Sequence, residues 1–149
     1  MLPRFEYTVT VPVSVDGAFK AFQNLDRLLH RGIYEEAVWV EGEPWQVGSR
    51  VRYVIAQPVP ATVSTVVTAI SPPRSISLLN HALGVTAEQH VSFGPDLKGG
   101  TRVRMTMELF GKSTELSDSA LHDAVEFVMR DALDTMSALC RRGDAATSG

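Results

Sequence analysis

Cysteine is almost missing from this sequence: Cys140 is the only one in 149 residues. A single thiol excludes an intramolecular disulfide and a thiolate zinc site. Long apolar runs are also missing. The longest is about half the roughly 20 residues a membrane-spanning helix needs, so no membrane span is expected. The opening Met1–Tyr7 has no apolar core of the secretory type, and a cytoplasmic location is the expectation. Nor is there an excess of basic charge. Fourteen Lys and Arg against seventeen Asp and Glu give a net charge of −3, without the basic footprint of a nucleic-acid binder. What is present is a 44% hydrophobic composition, ample for one packed domain of this length. One domain over 1–142 is expected, with a flexible tail at 143–149.

The pattern changes twice along the chain. Phe5, Tyr7, Val9 and Val11 alternate with Glu6, Thr8 and Thr10, which predicts a half-buried strand ending at Pro12. Ser14 is placed to cap a helix carrying Ala18, Phe19, Phe22 and Leu25, and 24–31 predicts a second short helix. Six strand-like segments follow: Ile33–Glu41, Val47–Gln57, Ala61–Ile70, Ser75–His81, Val85–Phe93 and Thr101–Phe110. Short Gly- and Pro-containing turns separate them, so neighbours in sequence should pair as an antiparallel meander. From Ser117 the apolar residues Leu121, Val125, Val128, Met129, Leu133, Met136 and Leu139 recur at three- and four-residue steps. Asp118, Asp123, Glu126, Arg130, Asp131 and Asp134 take the other face. This predicts one long amphipathic helix stopped at Gly143.

An antiparallel sheet must cover its apolar face, and that helix is the one large apolar surface left to do so. The expected architecture is α+β: a curved antiparallel sheet of about seven strands around a long C-terminal helix, with two short helices after the first strand. The element order, Pro72-Pro73-Arg74 before a strand and Gly99-Gly100-Thr101 before another resemble the START-like (SRPBCC) superfamily with its helix-grip fold. Within it the sequence looks most like the bacterial polyketide cyclase/dehydrase branch. The resemblance spans roughly 4–142 and implies a cavity for a lipid, polyketide or similar apolar ligand. Leu25-Asp26-Arg27-Leu28-Leu29-His30 stands where many relatives carry an aromatic-Pro-x-Trp segment, so no lining residue is carried over from it. The resemblance transfers no catalytic set.

The residues themselves supply few reactive constellations. His30, His81, His90 and His122 lack metal-ligand spacing, so no metal is expected. No nucleophile elbow or phosphate loop occurs, and no cofactor is expected. Glu88, His90, Arg102, Arg104 and Glu108 share one strand face and should form a solvated exterior, as should Arg50 and Arg52. The inward parity collects Phe5, Tyr7, Tyr53, Leu78, Asn80, Gln89, Met105 and Met107. Polar members of an inward face need a partner, which a ligand can be. Tyr7, Trp39, Tyr53, Leu78, Asn80, Gln89, Met105, Met107, Val125 and Met129 are the candidate ligand-binding residues. Tyr53 is the single candidate for proton transfer. Trp45, in a turn, is expected at an edge or exposed.

The leading expectation is therefore a binding protein for a small or medium hydrophobic molecule. A cyclase, aromatase or dehydratase is the catalytic alternative. A monomer or a homodimer paired through a sheet edge are both compatible with the sequence.

Overall fold

In the computed structural model the described residues are 4–148, with side chains described for 4–142. Strand β1 (Arg4–Val11) leads into helix α1 (Val15–Gln23), a 3-10 turn η1 (Leu25–His30), and then β2 (Tyr34–Glu41). Strands β3 (Arg50–Ile55), β4 (Ala61–Ser71), β5 (Ser75–Ala82), β6 (Val85–Pro95) and β7 (Thr101–Gly111) follow, and α2 (Asp118–Ser148) ends the chain. The sheet order is β1-β7-β6-β5-β4-β3-β2, antiparallel throughout. The meander expected from the short turns is present, and β1 closes it beside β7.

Local chemistry explains the joints. Ser14 Oγ accepts from the Gly17 amide at 3.0 Å and caps α1, while Asn24 Oδ1 accepts from the Asp26 amide at 3.1 Å to start η1. Gly100 has φ +78°, and a Cβ there would lie 2.3 Å from the Val11 carbonyl oxygen. Only glycine lets the start of β7 pass so close to the end of β1. The next residue, Thr101, is fully buried and donates to the Val13 carbonyl at 2.8 Å. The Gly-Gly-Thr segment thus fastens β7 to the exit of β1.

Register irregularities curve the sheet. One lies between Val67 and Ala69 on β4, and two lie on β2, at Tyr34/Glu36 and Trp39/Glu41. Such bulges bend a strand and raise its twist, which wraps the sheet around α2. The helix presents Met129, Leu133, Met136 and Cys140 to the sheet, all buried at three- and four-residue steps. They join Phe5, Val11, Phe19, Phe22, Ile76, Val91, Phe93, Val103 and Met105 in the main core.

Two expectations change. The helix does not stop at Gly143 but is continuous to Ser148; the side chains of 143–148 and all of Gly149 lie outside the described residues. Asp131, read as solvent-facing, is 5% exposed. Segment η1 packs along the flank of α2 and covers it, a contact that the helix periodicity cannot reveal. Among the described residues no helix is long and apolar enough to cross a membrane.

Candidate functional site

The exterior of the sheet is a set of ion pairs. Arg52 makes a bidentate contact with Glu36 at 3.1 Å through each nitrogen, and Arg104 does the same with Glu6 at 2.8 and 2.9 Å. Arg50 meets Glu41 at 3.1 Å. These exposed pairs occupy the face opposite the core, as the alternation requires. His81 bonds to Thr86 and His90 to Ser77, both across the β5–β6 pair. Among the described residues no three His, Cys, Asp or Glu side chains gather into a metal-ligating group.

The interior holds a cavity of about 160 Å³ between the sheet and the N-terminal half of α2. Its sheet wall includes Tyr53, Ile55, Leu78, Asn80, Ala87, Gln89, Met107 and Leu109, and its helix wall Leu121, Ala124, Val125, Val128 and Met129. Leu25, Arg27 and Leu28 of η1 close one side, with Tyr34 beside them. Pro58, Val59 and Leu83 come from the turns at the same end of the grip. Leu83 and Gly84 form a two-residue turn between β5 and β6, both with positive φ. A leucine in that conformation costs about 1 kcal/mol or more relative to glycine. Its side chain lines the cavity.

Of the sequence candidates, Tyr53, Leu78, Asn80, Gln89, Met107, Val125 and Met129 come together on this wall. Three do not. Met105 is fully buried in the core beneath. Trp39 is half-buried and stacks edge-on against Trp45 at 5.1 Å rather than reaching the cavity. Tyr7 faces the flank of α2, where its hydroxyl donates to Asp134 Oδ1 at 3.0 Å and the Arg130 guanidinium lies 5.0 Å from its ring centre. Its polar group is satisfied by the protein and lies off the cavity. Tyr7→Phe is therefore expected to cost at most about 1 kcal/mol in denaturant unfolding and to leave cavity binding unchanged.

Asn80 and Gln89 are largely satisfied as well. Thr65 Oγ1 donates to Asn80 Oδ1 at 2.6 Å, and Asn80 Nδ2 donates to Gln89 Oε1 at 3.0 Å. Gln89 Nε2 ends the ladder on Met105 Sδ at 3.4 Å. The run crosses β4, β5, β6 and β7 and gives the floor of the cavity a neutral polar seam.

Among the lining residues absent from the sequence candidates, three stand out: Trp45, Tyr34 and Arg27. Trp45 is half-buried, donates to the Gln23 carbonyl at 3.0 Å and packs its ring against Phe22, instead of standing exposed. Tyr34 is five residues from Trp39, so strict alternation would put them on opposite faces. The register shift between Tyr34 and Glu36 resets the parity, and both face inward: Tyr34 opposite Ile55, Trp39 opposite Val51. Arg27 is 6% exposed. Its Nη1 donates to the Ala132 carbonyl and to Thr135 Oγ1, and its Nη2 to the Phe22 carbonyl at 3.3 Å. Its Nε–H has no partner among the described residues. The flanking leucines at 25 and 28 were the available signal, since a charge between buried leucines on a six-residue helix has little room to turn outward.

Electrostatics sharpen this corner. Burial lowers the Arg27 guanidinium to about 10, so it stays charged at neutral pH. Burial pushes the Tyr53 phenol up to about 12 and raises that of Tyr34 above the ordinary tyrosine range, so both keep their protons. Their rings meet edge to face at 5.7 Å. Behind them Asp131 contacts Arg31 at 3.1 Å, and burial raises its carboxyl above the usual range.

No protein-family model matches the sequence, and no curated protein matches it significantly. Solved structures do. The chain is similar to Ara h 8.0201, with TM-score 0.79 and 13% identity over 95% of this chain and 99% of that one. It is similar to an uncharacterised protein from Rhizobium leguminosarum, at TM-score 0.74 and 13% identity, covering 95% and 96% of the two chains. A protein of unknown function from Staphylococcus aureus gives TM-score 0.72 and 13% identity, with 97% of each chain covered. The chain has the helix-grip fold. At these identities the likeness speaks for architecture alone, and function has to be argued from the cavity.

Proposed function

We propose that this protein binds a small apolar molecule in the cavity between the sheet and α2. The observation that carries the reading is the void itself. Protein interiors are close-packed, with few voids larger than a water. A recess of about 160 Å³ walled almost wholly by apolar side chains leaves that wall without the packing contacts of a filled core, and an apolar ligand would supply them. A void this size suits a ligand about as large as a benzene ring, and a longer one if Leu83 or the 58–59 turn gives way. The START-like resemblance supports the same reading.

The catalytic reading, a polyketide cyclase, aromatase or dehydratase, keeps one supporting feature: Tyr53 lines the cavity and holds its phenol proton, which a carbonyl could accept. Such reactions also move a proton off carbon or oxygen, which needs a base. The lining residues include no carboxylate, imidazole, thiol or amine, and both phenols are held protonated. Binding is the function this chemistry favours.

The test uses 1-aminonaphthalene, whose fluorescence brightens on leaving water. One saturable site is expected. Ala87→Phe, which places a ring in the cavity, should weaken binding at least ten-fold without lowering the melting temperature. Unchanged binding in that variant would contradict the proposal.

A further inference from the structure

We infer that Leu83 determines which ligands the cavity accepts: its side chain ends the space at the β5–β6 turn and limits the length of apolar chain that fits. This rests on the binding reading and specifies the size of its ligand.

The β5–β6 connection has two residues, Leu83 and Gly84, between the paired Ala82 and Val85. Both have positive φ, +56° and +81°. Asn-Gly and Gly-Gly prevail in hairpins of this geometry, because a side chain with a Cβ is strained there. A leucine gains nothing from the turn itself, so the gain has to lie where its side chain goes. Trp45 is the comparison, as the other non-glycine with positive φ among the described residues. Its reasons are evident: it donates to the Gln23 carbonyl and packs against Phe22 and Trp39 at the margin of the core. Leu83 belongs to neither hydrophobic cluster of the described residues. What its side chain borders is the cavity.

Its position makes it an end wall. Ala82, Leu83 and Val85 border the cavity on one side and a shallow surface recess on the other. Val85 is 6% exposed and held in β6, and Ala82 is small. Leu83 is therefore the one of the three with the reach to close the space between cavity and surface. A ligand extending toward this turn meets Leu83 before it meets solvent.

The experiment displaces 1-aminonaphthalene from the full chain with straight-chain 1-alkanols from butanol to decanol. In the wild type, affinity is expected to rise about four-fold per methylene and then level off at the length that reaches Leu83. Leu83→Gly removes the side chain and suits the turn. It should carry the rise to longer chains, so that 1-decanol binds at least about ten-fold more tightly than to the wild type. Its melting temperature should not fall. Leu83→Phe, which keeps an apolar side chain and enlarges it, should bring the levelling to shorter chains. The same limit in all three proteins would overturn the assignment and leave the cavity reading standing. A Leu83→Gly chain that melts lower and keeps the wild-type limit would make the leucine a packing residue, and the assignment fails. Failure of 1-aminonaphthalene to bind the wild type would overturn both readings.

Discussion

Leu133→Ala is expected to cost about 3–5 kcal/mol of stability, enough to unfold a marginal domain outright. Leu133 is fully buried at the centre of the α2 face that meets the sheet, and it does not line the cavity. Truncating it opens a new void among Met129, Met136 and the sheet. Val125→Ala is the instructive contrast. Val125 is half-buried and already borders empty space, so shaving it enlarges a void whose cost is present in the wild type. That change should cost about 1 kcal/mol. Urea unfolding of both variants measures the difference, provided the slope with denaturant is unchanged. Similar losses in the two would mean that the cavity wall is packed like the core.

Arg27→Leu carries the second large effect, about 3 kcal/mol, and its origin is electrostatic. The guanidinium ties η1 to the Ala132 carbonyl and to Thr135 on α2. It also shares the neutralisation of Asp131, whose side chain is 3% exposed and whose other cationic neighbour, Arg31, is half-exposed. Removing Arg27 leaves a buried carboxylate poorly compensated. Adding Asp131→Asn to Arg27→Leu should therefore recover at least half of the loss. A double-mutant cycle reads this coupling directly, and strictly additive losses would show that the two charges do not interact.

The parts of this arrangement legible in the sequence are those with a local period. Strict alternation in β1, β6 and β7 places Phe5, Gln89 and Met107 on the inward face, and the steps of α2 place Val125 and Met129 opposite them. Where geometry departs from the period, reading by parity breaks down. A single register shift in β2 hides Tyr34, and the turn that folds Trp45 back onto Phe22 has no period at all. Burial of Arg27 and Asp131 depends on η1 meeting α2 across about a hundred residues, from position 27 to position 132. Each looks like an ordinary surface charge until its partner element is in place. Tyr7 shows the reverse: its inward parity holds, but Asp134 on α2 already takes its hydroxyl. The cavity wall was thus readable in its regular strands, and its charged corner was not.

The most direct test of the binding cavity is a methyl NMR titration of the full chain with 1-aminonaphthalene. The account predicts that the methyl signals of Leu78, Val125, Val128 and Met129 shift together along one saturating curve. Those of Val11, Val67 and Val103, buried in the core away from the lining, should hold still. Shifts that fail to saturate, or that centre on the exposed Val38 and Val40 of β2, would contradict it.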